Sequence, residues 1–175
     1  MANVFVRCAP VRRQLPRIPF WRRGSPVFIS YRRSASAFAS GWLRDRLVAK
    51  LGEQRVIRDF ESIPAGVPFI DFMEGVIPDC GTLLALIDAQ WSVSAAMADG
   101  RYDEMPGEMM AFELDCAFAA GVDVIPVLLP GASMPNAAEL PQRLRRFSQL
   151  NGVEVRPDHN FCADVDRIVT ALRRR

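Results

Sequence analysis

The chain has 175 residues, half of them hydrophobic, with 22 basic and 20 acidic side chains and one histidine. That length fits one domain with an ordinary core, and no apolar run reaches the ~18–20 residues of a membrane span. The net charge of +2 hides an asymmetry: Arg7, Arg12, Arg13, Arg17, Arg22 and Arg23 stand in residues 1–25 without an acid, leaving 16 basic against 20 acidic residues in the rest. A mildly acidic body has no electrostatic footprint for nucleic acid.

Cys8, Cys80, Cys116 and Cys162 are widely spaced and form no C-x-x-C pair, and His159 stands alone. No metal site is expected from such a set. Free thiols in a reducing compartment are expected instead, which points to a cytoplasmic protein. Residues 1–25 carry Pro10, Pro16 and Pro19 and lack the apolar core of a signal peptide. They read as a basic, disordered arm, or as the product of an upstream start codon. Residues 26–175 read as the folded domain.

The domain opens with "VFISY" (Val27 to Tyr31), a short β-rich run. Residues 36–51 follow as an amphipathic helix, with Phe38, Trp42, Leu43, Leu47 and Leu51 near helical spacing. "RVIRD" (55–59) is a second strand and "FESIPAGVP" a loop broken by Pro64, Gly66 and Pro68. A helix through Phe69, Phe72, Met73 and Val76 ends near Pro78, and "TLLALID" (82–88) is a third strand. A polar stretch to Glu104 reads as a long loop. The segment "GEMMAFELDCAFAAGVDVIPVLL" (107–129) gives a helix and a buried strand. Beyond Pro130, Gly131 and Pro135 come a helix through Leu140, Leu144 and Phe147, a short strand "GVEVR" and a last helix near residues 161–173.

Strands alternating with single helices imply βαβ units and a parallel sheet. Continuous apolar strands such as "VIPVLL" suit a sheet covered on both faces. The expectation is an α/β, flavodoxin-like, five-stranded parallel sheet with helices on both faces, its ligands at the carboxyl ends of the strands. Several occupants of that fold are excluded. A receiver domain needs an acidic pair after the first strand, where this chain has "SYRR". Asp88 at the end of the third strand therefore reads as a loop-capping aspartate. No G-x-x-x-x-G-K-[ST], G-x-G-x-x-G or G-x-S-x-G motif is present.

One residue fits its surroundings poorly. At 100° per residue, Glu113 shares a helix face with Met109, Ala117 and Ala120, roughly opposite Glu108 and Asp115. An ionised carboxylate is costly to bury without partners. Either Glu113 closes a structural ion pair, or it faces a cleft and acts on a ligand.

The ordered pieces "VFISYRR", "DFESIPAGVPF", "FELDCAFAAGVDVIPVLLPGASMP" and "LPQRLRRFSQLNGVEV" resemble the Toll/interleukin-1 receptor (TIR) domain family, in its bacterial branch, over about residues 26–173. The resemblance implies the same five-stranded fold. It also implies cleavage of NAD+ between nicotinamide and ribose, by a glutamate on the helix before the "IPV" strand. Counting back from Pro126 places Glu113 there. Tyr31, Arg32 and Arg33 after the first strand, Phe60 and Phe69 around the following loop, and Trp91 after the third strand become the implied substrate-binding residues. Arginine pairs bidentately with pyrophosphate oxygens, and an aromatic ring stacks on those of NAD+. Each has an ordinary alternative: a surface salt bridge for the arginines, a core position for the phenylalanines, a loop anchor for Trp91. The family's tryptophan four residues before the glutamate is replaced by Met109, also assigned to substrate binding. No cofactor beyond NAD+ as substrate is implied.

The implied roles are antiphage defence signalling or a toxin-like effector. A non-catalytic adaptor that binds other TIR domains is the alternative, and a nucleotide sensor without turnover is a third class. Self-association is expected through the loop Phe60 to Pro68, with Phe60, Ile63 and Val67 as its apolar contacts.

Overall fold

The computed structural model describes residues 25–58, 63, 66–91 and 109–173. Five strands form one sheet: β1 (Val27–Ser30), β2 (Val56–Arg58), β3 (Thr82–Ile87), β4 (Asp123–Leu128) and β5 (Val153–Glu154). The order is β2-β1-β3-β4-β5 and each pairing is parallel. Among the described residues, four helices connect or flank them: α1 (Arg33–Leu51), α2 (Phe69–Val76), α3 (Met109–Ala120) and α4 (Phe161–Arg173). This is the flavodoxin-like doubly wound arrangement. Its strand order reverses beside β1, so the crevice at the carboxyl ends of β1 and β3 is the topological switch point.

Every residue of β1 and β3 is buried, as strands covered on both faces must be. Alternation then divides the core. Phe28, Leu83, Ala85 and Ile87 pack with α2 and α3. Val27, Ile29, Leu84 and Leu86 pack with Leu43 and Leu47 of α1 and Val165, Ile168 and Val169 of α4.

Two expectations change. Phe38 and Trp42 are not part of the inward stripe of α1: they are 86% and 56% exposed. The buried stripe is Ser36, Ser40, Leu43 and Leu47, whose spacing of four, three and four residues is the helical repeat. The segment expected as one helix through Leu140, Leu144 and Phe147 is two 3-10 turns, Ala137–Glu139 and Gln142–Gln149. Pro141 holds Leu140 extended, at φ −102° and ψ 143°. Leu144 and Phe147, both fully buried, are three residues apart, which a three-residue turn places on one side.

The stop of α3 matters for the site. Gly121 takes φ +73°, its N–H donates to the Phe118 carbonyl and that of Val122 to the Ala117 carbonyl. This Schellman closure turns the chain directly into β4. Because α3 returns from the carboxyl edge of the sheet to start β4, its first turns lie at that edge.

Candidate functional site

The carboxyl ends of β1 and β3 are joined by a polar network. Arg32, the residue before α1, donates to both Asp88 oxygens, its Nε at 3.1 Å from Oδ2 and its Nη2 in a close ion pair with Oδ1. The Ser36 hydroxyl donates to Asp88 Oδ2 at 3.1 Å, and the Gln90 N–H to Oδ1 at 2.9 Å. Arg32 and Ser36 stand one helical turn apart, so both side chains reach the same carboxylate. Burial pushes the Asp88 carboxyl up. The hydrogen bonds from Arg32, Gln90 and Ser36 outweigh that and hold it below the usual range. Asp88 thus caps its loop and ties α1 to the end of β3.

The implied site residues do not all converge. Tyr31 is 9% exposed and belongs to the core beneath α1 and α4. The Arg58 guanidinium lies 5.4 Å from its ring centroid, and Gly41 of α1 leaves Arg58 room, since a Cβ there would stand 3.2 Å from Nη1. Arg32 is engaged by Asp88, and Arg33 is the exposed first residue of α1. On the other side of the sheet, Phe69 opens α2, Met109 opens α3, and both are half-buried against the core there. Trp91 packs on the same core, with its ring 5.8 Å from that of Phe147 and tilted by 59°, and its N–H donates to the Asp88 carbonyl. It anchors the loop after β3. Phe60 lies outside the described residues.

Glu113 is 2% exposed. Its helix packs on the 3-10 turn Ile77–Asp79, on β3 and β4, and on the turn Gln142–Gln149. The last of these engages the opposite side of α3: Arg143 Nε lies 2.9 Å from Asp115 Oδ2, and Phe118 meets Phe147 at 6.5 Å with the Arg146 guanidinium 3.7 Å from the Phe118 centroid. Asp115 and Glu113 are about 160° apart around the helix. The acid that pairs outward and the acid buried inward are therefore distinct.

Ser36, Gln90 and Arg58 escape sequence reasoning. Ser36 had one usable signal, its position four residues after Arg32. Arg58 had none, because its partner Tyr31 follows a different strand, 27 residues earlier. Ile63 and Val67, expected as exposed contacts, are half-buried and pack on the core. Cys80 and Cys116 are buried free thiols and Cys162 an exposed one. Burial, aided by Asp79, pushes the Cys80 thiol up to about 12, which keeps it unreactive. Among the described residues no cluster of His, Cys, Asp and Glu could hold a metal ion, and no helix is long and apolar enough to cross a membrane.

Fold and switch point define a flavodoxin-like α/β domain with a polar network at the strand ends. The sequence model of the TIR domain family matches residues 27–169, and the chain belongs to that family. It is also similar in structure to the TIR domains of the activated Roq1 resistosome, which directly recognises the pathogen effector XopQ. The TM-score is 0.63 at 12% identity, covering 85% of this chain and 99% of that one. At such identity the likeness concerns the fold. No curated protein sequence matches the chain.

Proposed function

We propose that the chain cleaves NAD+ at the bond between nicotinamide and ribose, with Glu113 as the catalytic carboxylate. The observation that carries this reading is the position of Glu113: buried, on the helix that starts at the carboxyl edge, and on the side away from the Asp115–Arg143 pair. In the reaction the C1′–N bond breaks and its electron pair stays on the pyridine nitrogen, so nicotinamide leaves neutral. The ribosyl carbon becomes oxocarbenium-like, and a preorganised carboxylate stabilises that charge. Water then adds to C1′ and loses a proton, giving ADP-ribose, or an adenine nitrogen attacks C1′ in place of water and closes a cyclic ADP-ribose. At 2% exposure, Glu113 meets substrate only when groups around it move aside. Phe69 and Met109 on the Glu113 side of the sheet, and Arg33 at the head of α1 on the other, remain the substrate-binding candidates, and Arg32 acts through Asp88. The setting is a cytoplasmic defence or toxin-like effector. The test is incubation of purified protein with NAD+ and separation of the products by chromatography: nicotinamide in equal amount to ADP-ribose or a cyclic ADP-ribose supports the reading, and intact NAD+ removes it.

A second reading, a TIR interaction module without turnover, is favoured by Phe38 and Trp42. These two large apolar side chains one helical turn apart on α1 are 86% and 56% exposed, and exposed apolar groups mark contact surfaces. Light scattering over a dilution series tests it. Concentration-dependent assembly that Trp42→Asp abolishes, together with inert NAD+, would favour this reading over the enzyme.

A further inference from the structure

Ser30 ends β1 at the switch point and is fully buried. Its Oγ is the only buried hydroxyl without a hydrogen-bond partner among the described residues. The other buried serines are satisfied: Ser36 donates to Asp88 and Ser40 to the Ala37 carbonyl. Buried hydroxyls are nearly always hydrogen-bonded, because burial without a partner is unfavourable, and each exception calls for a reason. Alternation supplies the direction. Val27 and Ile29 face α1 and α4, and Phe28 faces α2 and α3, so Ser30 shares the side of Phe28. That is the side on which Glu113 is buried. Ser30 is paired across the sheet with Ala85 on the same face, so its in-register neighbour on β3 offers the hydroxyl no side-chain partner.

We propose that the Ser30 hydroxyl is a ligand-binding group, completing its hydrogen bond with a sugar hydroxyl or carboxamide of the nucleotide that enters the crevice between β1 and β3. The inference rests on the NAD+ reading and adds a residue to its site. It explains why a strand core position holds a polar group: the partner arrives with the substrate. Ser30→Ala removes a hydroxyl that the free fold does not use, so the free protein keeps or raises its melting temperature. The lost contact appears with ligand only.

The test compares wild type, Ser30→Ala and, as a control, Ser40→Ala. Melting temperature is read without ligand, KM and kcat with NAD+, and affinity for NAD+ and ADP-ribose by calorimetry. Expected for Ser30→Ala is an unchanged or higher melting temperature with KM and both dissociation constants raised about tenfold. Expected for Ser40→Ala is the reverse: a lower melting temperature and unchanged affinity. A Ser30→Ala protein that binds both nucleotides as wild type does overturns the proposal, and a drop in its melting temperature would assign the hydroxyl to the fold, through an internal water. If wild type binds NAD+ without cleaving it, the catalytic reading fails and the dissociation constants still decide on Ser30. If wild type neither binds nor cleaves NAD+, both fail.

Discussion

Beneath α1 and α4 the sheet meets Leu43, Leu47, Val165, Ile168 and Val169, and three buried polar side chains on those helices close on protein groups. Ser36 reaches Asp88, Ser40 a carbonyl, and Asp164 pairs with Arg156 at 3.0 Å and 2.8 Å. Beneath α2 and α3 the layer is as apolar, with Phe72, Met73, Leu83 and Leu114, yet it also buries Glu113 and the unmatched Ser30 hydroxyl. The first layer uses polar groups to lock elements together. The second layer buries the two polar groups, Glu113 and Ser30, on which the proposed chemistry rests.

The largest stability effect is expected in the first layer. Leu47 is fully buried, and Leu47→Ala should cost about 2–5 kcal/mol in chemical denaturation while leaving turnover per folded molecule unchanged. A fall in turnover of the folded fraction would show that the two layers are coupled.

Next come the two buried aspartates. Arg156 hydrogen bonds, and the charges of Arg156 and Arg167, hold the Asp164 carboxyl below its usual range, as the switch-point network does for Asp88. A carboxyl lowered in the folded state stabilises above its unfolded value, about 3.9 for aspartate, and that stability is lost as pH falls through the folded value. Asp164→Asn and Asp88→Asn should therefore each melt several degrees lower than wild type at neutral pH. The gap should close toward pH 2. Asp164→Asn should leave KM alone, whereas Asp88→Asn should raise it, because Asp88 positions Arg32 and the loop after β3. Equal KM values for the two variants would assign both networks to stability.

The smallest effect concerns the residue that replaces the family tryptophan. Met109 is half-buried at the start of α3, so Met109→Trp should cost under about 1–3 kcal/mol, the range for an overpacked core, and maintain or raise turnover. A large loss of stability with no gain in turnover would place Met109 wholly in the core.

The sheet was legible because buried parallel strands read as apolar runs and each helix between them carries its own period. The inward face of α1 was not. Phe38 and Trp42 outweigh serines in any hydrophobic pattern, and the inward turn of Ser36 and Ser40 is explained only by their partners, Asp88 and the Ala37 carbonyl. The 3-10 turns were hidden because Leu144 and Phe147, three residues apart, satisfy either helix. Glu113 stood out as a charge among apolar residues. The engagement of Arg32 did not, since Asp88 is 56 residues away. Tyr31 could have been excluded from the Glu113 side by counting alternate residues from Val27. Ser30 carried no signal, for a serine at a strand end is ordinary until its partners are known.

The proposed chemistry of Glu113 is tested by the rate of nicotinamide release from NAD+ by wild type and Glu113→Gln side by side. Glutamine keeps the size of the side chain and removes its charge. With Glu113 as the catalytic carboxylate, Glu113→Gln keeps the circular dichroism spectrum of wild type and lowers the rate by ~10²–10³, the usual loss when one preorganised electrostatic element is removed. A correctly folded Glu113→Gln protein that releases nicotinamide at the wild-type rate would contradict that role.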